Sequence, residues 1–241
     1  MSCFSRTVAV SLSIMIVVSL IKPEEIFAQT ERDSRRAYFL SGAEKSTIKD
    51  AAGTHDLDKI RALVRKQPRL VRSISKKYAK HSGADGKQAG EAASVIAKAI
   101  NADISQASEI AAIIYRRKNA TIEDAVEIAD KVATDLGFDS TIDKYSLFVG
   151  LLAKELNLDG KEASQLAVQL INKHGYRGYE AGHLTGLVAR GTGATREDLQ
   201  LIVSSVLREL KPDINEADQI ASTVALETGE EISVSTSTAR N

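Results

Sequence analysis

Apolar and polar residues alternate along this chain with a fixed period of 18 residues between positions 66 and 229. Nine consecutive stretches follow the same pattern, and only Phe138 and Asp139 interrupt the count. The stretches begin at Lys66, Ala84, Ala102, Ala120, Ser140, Leu158, Tyr176, Ala194 and Pro212. A fixed period of this length is typical of repeat proteins, in which one small structural unit is stacked many times.

Within each stretch, the apolar residues occupy positions 6, 9, 10 and 13, which is the spacing of one face of an α-helix. Position 9 is a bulky apolar residue in eight of the nine stretches, and position 6 is alanine in six. The pattern therefore predicts a helix with two apolar edges. The bulky edge would fill a core layer, and the alanine edge would let a neighbouring helix approach closely.

Positions 2 and 18 predict where each helix begins and ends. Position 2 is Asp or Thr in seven stretches, and such side chains accept a hydrogen bond at a helix N-terminus. A carboxylate or amide three residues later completes a capping box or a close variant in six stretches. Position 18 is Gly or Asn in eight stretches, and both tolerate the left-handed conformation that ends a helix. Each unit is thus predicted to be one helix of about 14 residues.

We therefore predict an all-α fold of tandem 18-residue single-helix repeats, stacked as antiparallel helices in an α-solenoid-like array. A compact multi-helix bundle is the alternative. A lone helix of this length has no surface on which to bury its apolar face, so the units are expected to fold only as an array.

Residues 1–28 have the features of a secretory signal peptide, with Arg6, an apolar run over residues 7–21, and Ala28 before the predicted cut. The apolar run is shorter than the roughly 20 residues that a bilayer span requires, which favours cleavage over an uncleaved anchor. We predict an exported protein, periplasmic or secreted, with no stable transmembrane segment after cleavage. Cys3 would be lost with this segment, leaving no cysteine in the mature chain.

The rest of the chain divides by composition into three parts. Residues 29–65 are predicted to form a basic N-terminal linker with short capping helices, and residues 66–229 the nine-unit helical repeat domain. Residues 230–241 are predicted to be a disordered, Ser/Thr-rich tail, with a short added strand as the alternative. The two capping helices are expected near residues 41–53 and 56–66.

Charge is distributed unevenly along the chain although the net charge is zero. Residues 29–83 hold 14 Lys and Arg against 6 Asp and Glu, and residues 84–241 hold 16 against 24. The predicted basic patch comprises Lys59, Arg61, Arg65, Lys66, Arg69, Arg72, Lys76, Lys77 and Lys80. One interpretation is a site for an anionic polymer or a membrane surface. We prefer a solvated, charged end of the array, because aromatic side chains are nearly absent from this segment.

Few residues have the spacing that enzymatic or metal chemistry requires. The four histidines include no helical pair with zinc-site spacing, and no glycine-rich phosphate loop or nucleophile motif is present. Most carboxylates lie at predicted cap positions, where a structural role already accounts for them. We therefore expect no cofactor and no metal, and we favour a binding role over an enzymatic one.

The stretch 176–193 departs most from the pattern and holds the candidate binding residues. These candidates are Tyr176, Arg177, Tyr179, His183 and Arg190. Tyr179 and His183 are four residues apart, so they share a helix face, and they are expected to be exposed outside the apolar stripe. Under the alternative interpretation, which we favour, Gly182 and Gly186 permit a tight helix crossing and Tyr179 covers the gap.

The leading functional hypothesis is an exported helical-repeat protein that acts as a binding or scaffold module for a macromolecular partner, most simply a protein. Its specificity would then lie at positions 4, 8, 11 and 15 of the repeat, which are predicted to be exposed. A second hypothesis is a hydrolase or lyase with a site near Tyr179, His183 and Arg190. A third is an envelope-associated structural protein that uses its basic end on anionic polymers.

Overall fold

The computed structural model describes residues 39–116 and 120–232 of the chain. The predicted signal peptide, most of the basic linker and most of the predicted tail lie outside these residues. All regular structure in the two described ranges is helical, with no strand in either, which confirms the all-α prediction. The helices belong to a single compact unit that begins at Ala43.

Eleven α-helices and two 3₁₀ helices follow one another through the described residues. The α-helices are α1 (Gly42–Thr54), α2 (Leu57–Lys66), α3 (Val71–His81), α4 (Gly86–Ala99), α5 (Ile104–Tyr115), α6 (Ile122–Leu136), α7 (Ile142–Leu156), α8 (Gly160–His174), α9 (Gly178–Thr192), α10 (Arg196–Leu210) and α11 (Ile214–Thr228). The 3₁₀ helices are Pro68–Leu70 and Phe138–Ser140. The second contains both residues that interrupt the 18-residue count, so the interruption is one extra turn between α6 and α7.

The helix starts agree with the predicted capping residues in eight of the nine units. In seven of these eight, the position-2 side chain accepts a hydrogen bond from the backbone N–H three residues later. Arg177 is the exception, because its side chain has no acceptor. The first unit also differs, since Gln67 precedes the 3₁₀ turn and α3 starts only at Val71.

The helix ends agree equally well with the predicted position-18 residues. Every position-18 residue in the described ranges has a positive φ angle, including the non-glycine residues Asn101, Asn157 and Lys211. This left-handed conformation stops helix propagation and turns the chain back after each unit. The 18-residue period is therefore set locally, at both ends of each helix.

The predicted apolar stripe forms the core. Positions 9, 10 and 13 are buried in all nine units, and position 6 is buried in eight, with Val71 half-buried in the first. The alanines at positions 6 and 10 are all among the buried residues. The bulkiest fully buried side chains include Tyr78, Tyr145 and Phe148.

Helices generally pack more extensively on the next helix but one than on the next helix of the chain. One layer contains α3, α5, α7, α9 and α11, and the other contains α2, α4, α6, α8 and α10. In α9 and α11, Gly182 contacts Ile220, and Gly186, four residues later, contacts Val224, also four residues later. The residue numbers of the contacts therefore rise together in the two helices. Partners within a layer therefore run parallel, and consecutive helices join the two layers.

One predicted surface position is wrong. Position 11 was expected to be exposed, but Ser94, Ala112, Gly150 and Gly186 at this position are all buried. The reason is the packing within a layer, since a Cβ atom on Gly150 would lie only 2.6 Å from the carbonyl oxygen of Leu187. Position 11 often faces the next helix but one, so it is not a general surface position.

Candidate functional site

Helix α9 contains the glycine-rich stretch that the sequence singled out, and it packs on both α7 and α11. A Cβ atom on Gly182 would lie 2.8 Å from the carbonyl oxygen of Ile220, and one on Gly186 would lie 2.6 Å from Cβ of Glu227. Both distances are too short for ordinary packing, so a larger residue at either position would push α11 away. The two glycines permit the tight crossing that the favoured interpretation of this stretch required.

His183 is buried, with an exposed fraction of 7%, so the expectation that its side chain faces solvent is wrong. Its ring lies stacked against that of Tyr179, with centroids 5.4 Å apart and planes inclined by 12°. Nδ1 lies 2.8 Å from Oε1 of Glu227 in α11, which is hydrogen-bond distance. Nε2 lies 3.4 Å from Oδ1 of Asp143 in α7, with no hydrogen bond to a described residue.

The distance from Nδ1 to Glu227 favours one position for the ring hydrogen in a neutral His183. A neutral imidazole carries one hydrogen, and placing it on Nδ1 lets the ring donate to Glu227. Nε2 is then an acceptor that faces the carboxylate of Asp143, and neither can donate. The His183 ring therefore lies between both neighbours of α9 in its layer, facing Glu227 of α11 and Asp143 of α7.

Arg190 completes the cluster around Glu227. Its Nη1 lies 3.6 Å from Oε2 of Glu227 and 3.5 Å from the backbone oxygen of the same residue. Arg190 is exposed, and 44% of Tyr179 is accessible to solvent. The structure therefore brings Tyr179, His183 and Arg190 together, with His183 as the covered member.

The two remaining candidates lie elsewhere. Tyr176 stacks on His174, with ring centroids 5.1 Å apart. Arg177 donates from Nη1 to the backbone oxygen of Leu210, the last residue of α10, over 3.1 Å. Arg177 thus satisfies a free carbonyl at a helix C-terminus, which is a structural role. The five predicted residues do not converge on one site.

A second polar cluster, which the sequence analysis did not predict, joins α6, α7 and α8. Asp130 is its centre and accepts hydrogen bonds from the hydroxyl group of Tyr145 and from Nε2 of His174, the latter over 2.9 Å. Nζ of Lys173 lies 2.6 Å from the other carboxylate oxygen. The three donors occupy most of the roughly four acceptor positions of this carboxylate.

These contacts change the pKa of both acidic groups. Burial alone would raise the pKa of Asp130, but the hydrogen bonds from His174, Lys173 and Tyr145 outweigh it and hold that pKa below its usual range. Burial and the neighbouring Asp130 charge raise the pKa of Tyr145. The stable state is therefore an ionised Asp130 beside a neutral tyrosine.

A signal for this cluster was present in the sequence. Tyr145 occupies position 6, where six units have alanine. Asp130 occupies position 11, in the middle of its helix, where a carboxylate cannot act as a helix cap. His174 precedes the glycine that ends α8. Each departure is visible along the chain, but only the contact of three helices shows that they belong together.

The predicted basic patch lies on α2, the following 3₁₀ turn and α3. Three of its members form ion pairs, namely Lys59 with Asp56, Arg61 with Asp58, and Arg72 with Glu109. The other six form no ion pair with residues 39–116 or 120–232, and they are Arg65, Lys66, Arg69, Lys76, Lys77 and Lys80. All six are exposed or half-buried. Most of this positive charge is therefore directed to solvent.

Lys49 of α1 adds to this positive surface, although it lies outside the predicted patch. Burial lowers the pKa of His81, and the charges of Lys77, Lys80 and Lys49 lower it further. The effect of Lys49 on His81 shows that α1 places this cation near those at the end of α3. This proximity could not be predicted from the sequence, because Lys49 and Lys80 are far apart along the chain.

Two grooves open between parallel helices of the same layer. The α7–α9 groove has a volume of about 220 Å³, and the α8–α10 groove has a volume of about 400 Å³. The first is lined by Leu147, Gly150, Leu151, Lys154, Leu187, Arg190 and Gly191. The second is lined by Lys161, Ser164, Gln165, Val168, Leu201, Ser205, Arg208 and Glu209. They lie in different layers of the array.

The two grooves use the same positions of the repeat. In both, positions 8 and 11 of the earlier helix face positions 12, 15 and 16 of the later helix. The coincidence follows from the repeat, because equivalent helices cross their parallel partners in an equivalent way. Leu147 and Leu201 both occupy position 8, and their exposed fractions are 39% and 44%.

Neither metal-ion nor membrane-spanning features are found in the part of the chain that the structure describes. No group of three or more His, Cys, Asp or Glu residues there could hold a metal ion. None of the helices within 39–116 and 120–232 is long and apolar enough to cross a bilayer. Comparison with protein-family models, curated proteins and solved structures finds no match to this chain.

Proposed function

We propose that this chain is an exported helical-repeat protein that acts as a binding module for a protein partner. The observation that carries the proposal is the pair of grooves lined by equivalent repeat positions. Side chains at positions 8 and 15 are free of core packing in these grooves, so they can vary while the fold is kept. Such an arrangement suits recognition of an extended partner rather than chemistry at one point.

The size and lining of the grooves support a protein partner over a small molecule. Small-molecule sites usually enclose about 300–1,000 Å³ and bury most of the ligand. The α7–α9 groove is smaller than this range and the α8–α10 groove lies within it, but both grooves open to solvent along helix pairs. Partly exposed leucines beside basic residues are typical of the apolar centre and polar rim of a protein interface.

The enzyme alternative draws little support from the described geometry. His183 is covered by Tyr179 and paired with Glu227, and it lines neither groove. No serine, cysteine or lysine nucleophile is among the contacts of its ring in the described residues. A general base needs to be within hydrogen-bond reach of a substrate proton, and this ring is buried.

Photocrosslinking tests the binding proposal. A photoreactive amino acid would replace Leu147 in one variant and Leu201 in another, with Asp218 as a control because it is exposed and lies outside both grooves. We expect a discrete adduct with one protein of the exported fraction from a groove position and none from Asp218. That protein, purified, should bind the unmodified chain, and Leu201→Asp or Leu147→Asp should weaken the complex. Equal labelling from all three positions would contradict the proposal.

Export is a separate part of the proposal, supported by the composition of residues 1–28. Intact-mass measurement of the protein from cells that express the full chain tests it. We expect a mature form that begins at Gln29 in the exported fraction. A chain that keeps residues 1–28 and stays with the cytoplasmic fraction would contradict this part and leave the binding proposal standing.

A second candidate function, attachment to an anionic polymer through the basic end, is favoured by one observation. Six cations between Arg65 and Lys80 form no ion pair with the described residues, and Lys49 adds a seventh cation nearby. Binding to a long-chain polyphosphate probe would measure this directly. We expect affinity to fall steeply with salt, and to fall further in a Lys76→Gln, Lys77→Gln, Lys80→Gln variant. Salt-independent binding, or no effect of the substitutions, would argue against it.

A further inference from the structure

The floor of the α7–α9 groove is made of backbone. A Cβ atom on Gly191 would overlap the carbonyl oxygen of Gly150, so the two helices touch main chain to main chain there. Leu147 and Leu151 of α7 and Leu187 of α9 rise beside this crossing and form apolar walls. Because glycine has no side chain, the space above the crossing stays open.

The rim of this groove is positively charged. Lys154 lies at one side and Arg190 at the other, and no carboxylate is among the residues that line the groove. Lys154 is exposed and forms no ion pair with any residue whose position the structure describes. Arg190 is only loosely paired, at 3.6 Å from Glu227. The acids of α7 are Asp143, which faces His183, and Glu155, which follows Lys154, and neither lines the groove.

The α8–α10 groove differs in the features that decide specificity. It contains Glu209 as well as Lys161 and Arg208, and its walls include Ser164 and Ser205. Its charge is therefore mixed and its lining is more polar. Of these two grooves, only the α7–α9 groove combines apolar walls with basic residues and no carboxylate in its lining.

We propose that the α7–α9 groove binds a short acidic segment of the protein partner that carries one bulky apolar side chain. The apolar side chain would lie between Leu147 and Leu187, and flanking carboxylates would pair with Lys154 and Arg190. The volume of about 220 Å³ suits one such side chain and excludes a larger cluster. Charge complementarity at the rim selects acidic over basic segments. This inference rests on the proposed binding function and names the chemistry of the partner.

A displayed library of random heptapeptides tests the chemistry without knowledge of the natural partner. The full chain is the bait, and a Lys154→Glu variant is the counter-selection bait. Lys154 is exposed, so the variant should keep the fold, and equal thermal unfolding midpoints would verify this. We expect peptides that prefer the unaltered chain to combine Asp or Glu with an adjacent Leu, Phe or Met.

A synthetic peptide from the selection would then be measured by fluorescence anisotropy. Lys154→Glu should weaken its binding about tenfold or more, and Leu147→Ser should also weaken it. Lys87→Glu makes the same charge change at an exposed residue outside both grooves, so it is the matched control and should leave the affinity unchanged. Binding should weaken as salt rises, because part of it is electrostatic.

Several outcomes would overturn the inference. These are enrichment of basic peptides, no enrichment that depends on Lys154, or an equal effect of Lys87→Glu. Self-association of the chain that is lost in Lys154→Glu would show that a second copy occupies the groove instead. Peptide binding that appears only after removal of residues 230–241 would assign the groove to the chain's own end. In each case a crosslinked partner at Leu201 would leave the proposed binding function intact.

Discussion

Glu216 of α11 accepts a hydrogen bond from the backbone N–H of Gly178, the first residue of α9, over 3.3 Å. Elsewhere in the array, the residue at this position usually closes a capping box with its own helix. Arg177 provides α9 with no side-chain cap, and Glu216 makes no such box with Asp213. A carboxylate from the next helix of the layer therefore replaces the missing cap.

Replacing Glu216 by Ala should destabilise the protein by about 1 kcal/mol, because the buried N–H of Gly178 loses its acceptor. Asp218→Ala on the same helix is the control, since Asp218 is exposed and has no hydrogen bond among those of the described residues. Urea unfolding followed by circular dichroism measures both. Equal stability of the two variants would show that Glu216 does not cap α9.

Replacing Gly191 by Ala should destabilise the protein by about 1–3 kcal/mol, because the new methyl group would overlap the carbonyl oxygen of Gly150. Gly53→Ala is a matched control within α1, where no atom lies within 4 Å of the added methyl group. That change should be neutral or stabilise by up to about 1 kcal/mol, since alanine is the better helix former. Thermal unfolding of both variants measures these effects. An unchanged unfolding midpoint for Gly191→Ala would contradict the observed crossing of the helices.

Replacing Asp130 by Asn should lower stability by about 1–3 kcal/mol at pH 7 and by less in acid. The folded-state pKa of Asp130 lies below its ordinary value near 3.8, so its ionised form adds stability above that pH. This contribution disappears as the pH falls through the folded-state pKa. The difference in unfolding free energy between the original chain and the variant should therefore shrink from pH 6 to pH 2.

Asp218→Asn is the control for this pH series, and it should leave the difference near zero throughout. Tyr145→Phe removes one donor to Asp130 and keeps the ring, so it should reproduce part of the effect. A difference for Asp130→Asn that grows toward low pH would show that the carboxyl group is stabilised in its protonated form.

Replacing Lys77 and Lys80 by Gln should raise the pKa of His81, because two of the charges that oppose its protonation are removed. Burial is the largest single cause of the lowered pKa of His81 and persists in the variant with the charge of Lys49, so recovery should be partial. A nuclear magnetic resonance titration of the His81 ring measures the change. Lys66→Gln is the control and should leave the titration midpoint where it was.

The helix boundaries were predictable because they depend on residues close together in the chain. Asp103 accepts from the N–H of Gln106 three residues on, and Gly137 stops α6 by its left-handed backbone. The buried stripe was predictable for a related reason. The 100° turn per residue brings positions 6, 9, 10 and 13 onto one face whatever the neighbours are.

The failures of prediction concern contacts between units. His183 has the polar character of a surface residue, but Tyr179 and Glu227 cover it in the fold. Position 11 was expected at the surface, and packing against the next helix but one buries it at Gly150. The Asp130 cluster joins residues of three helices, and no local rule relates them.

The sequence by itself determined the helices of this protein, their starts and ends, and the stripe that each buries, since capping, left-handed termination and helical periodicity act within about one unit. Tertiary structure alone decided that parallel partners two helices apart form the layers. It also decided which polar side chains are covered and where grooves open. These outcomes depend on contacts between side chains about 40 residues apart in the sequence. Which of these side chains meet is decided by how whole helices cross.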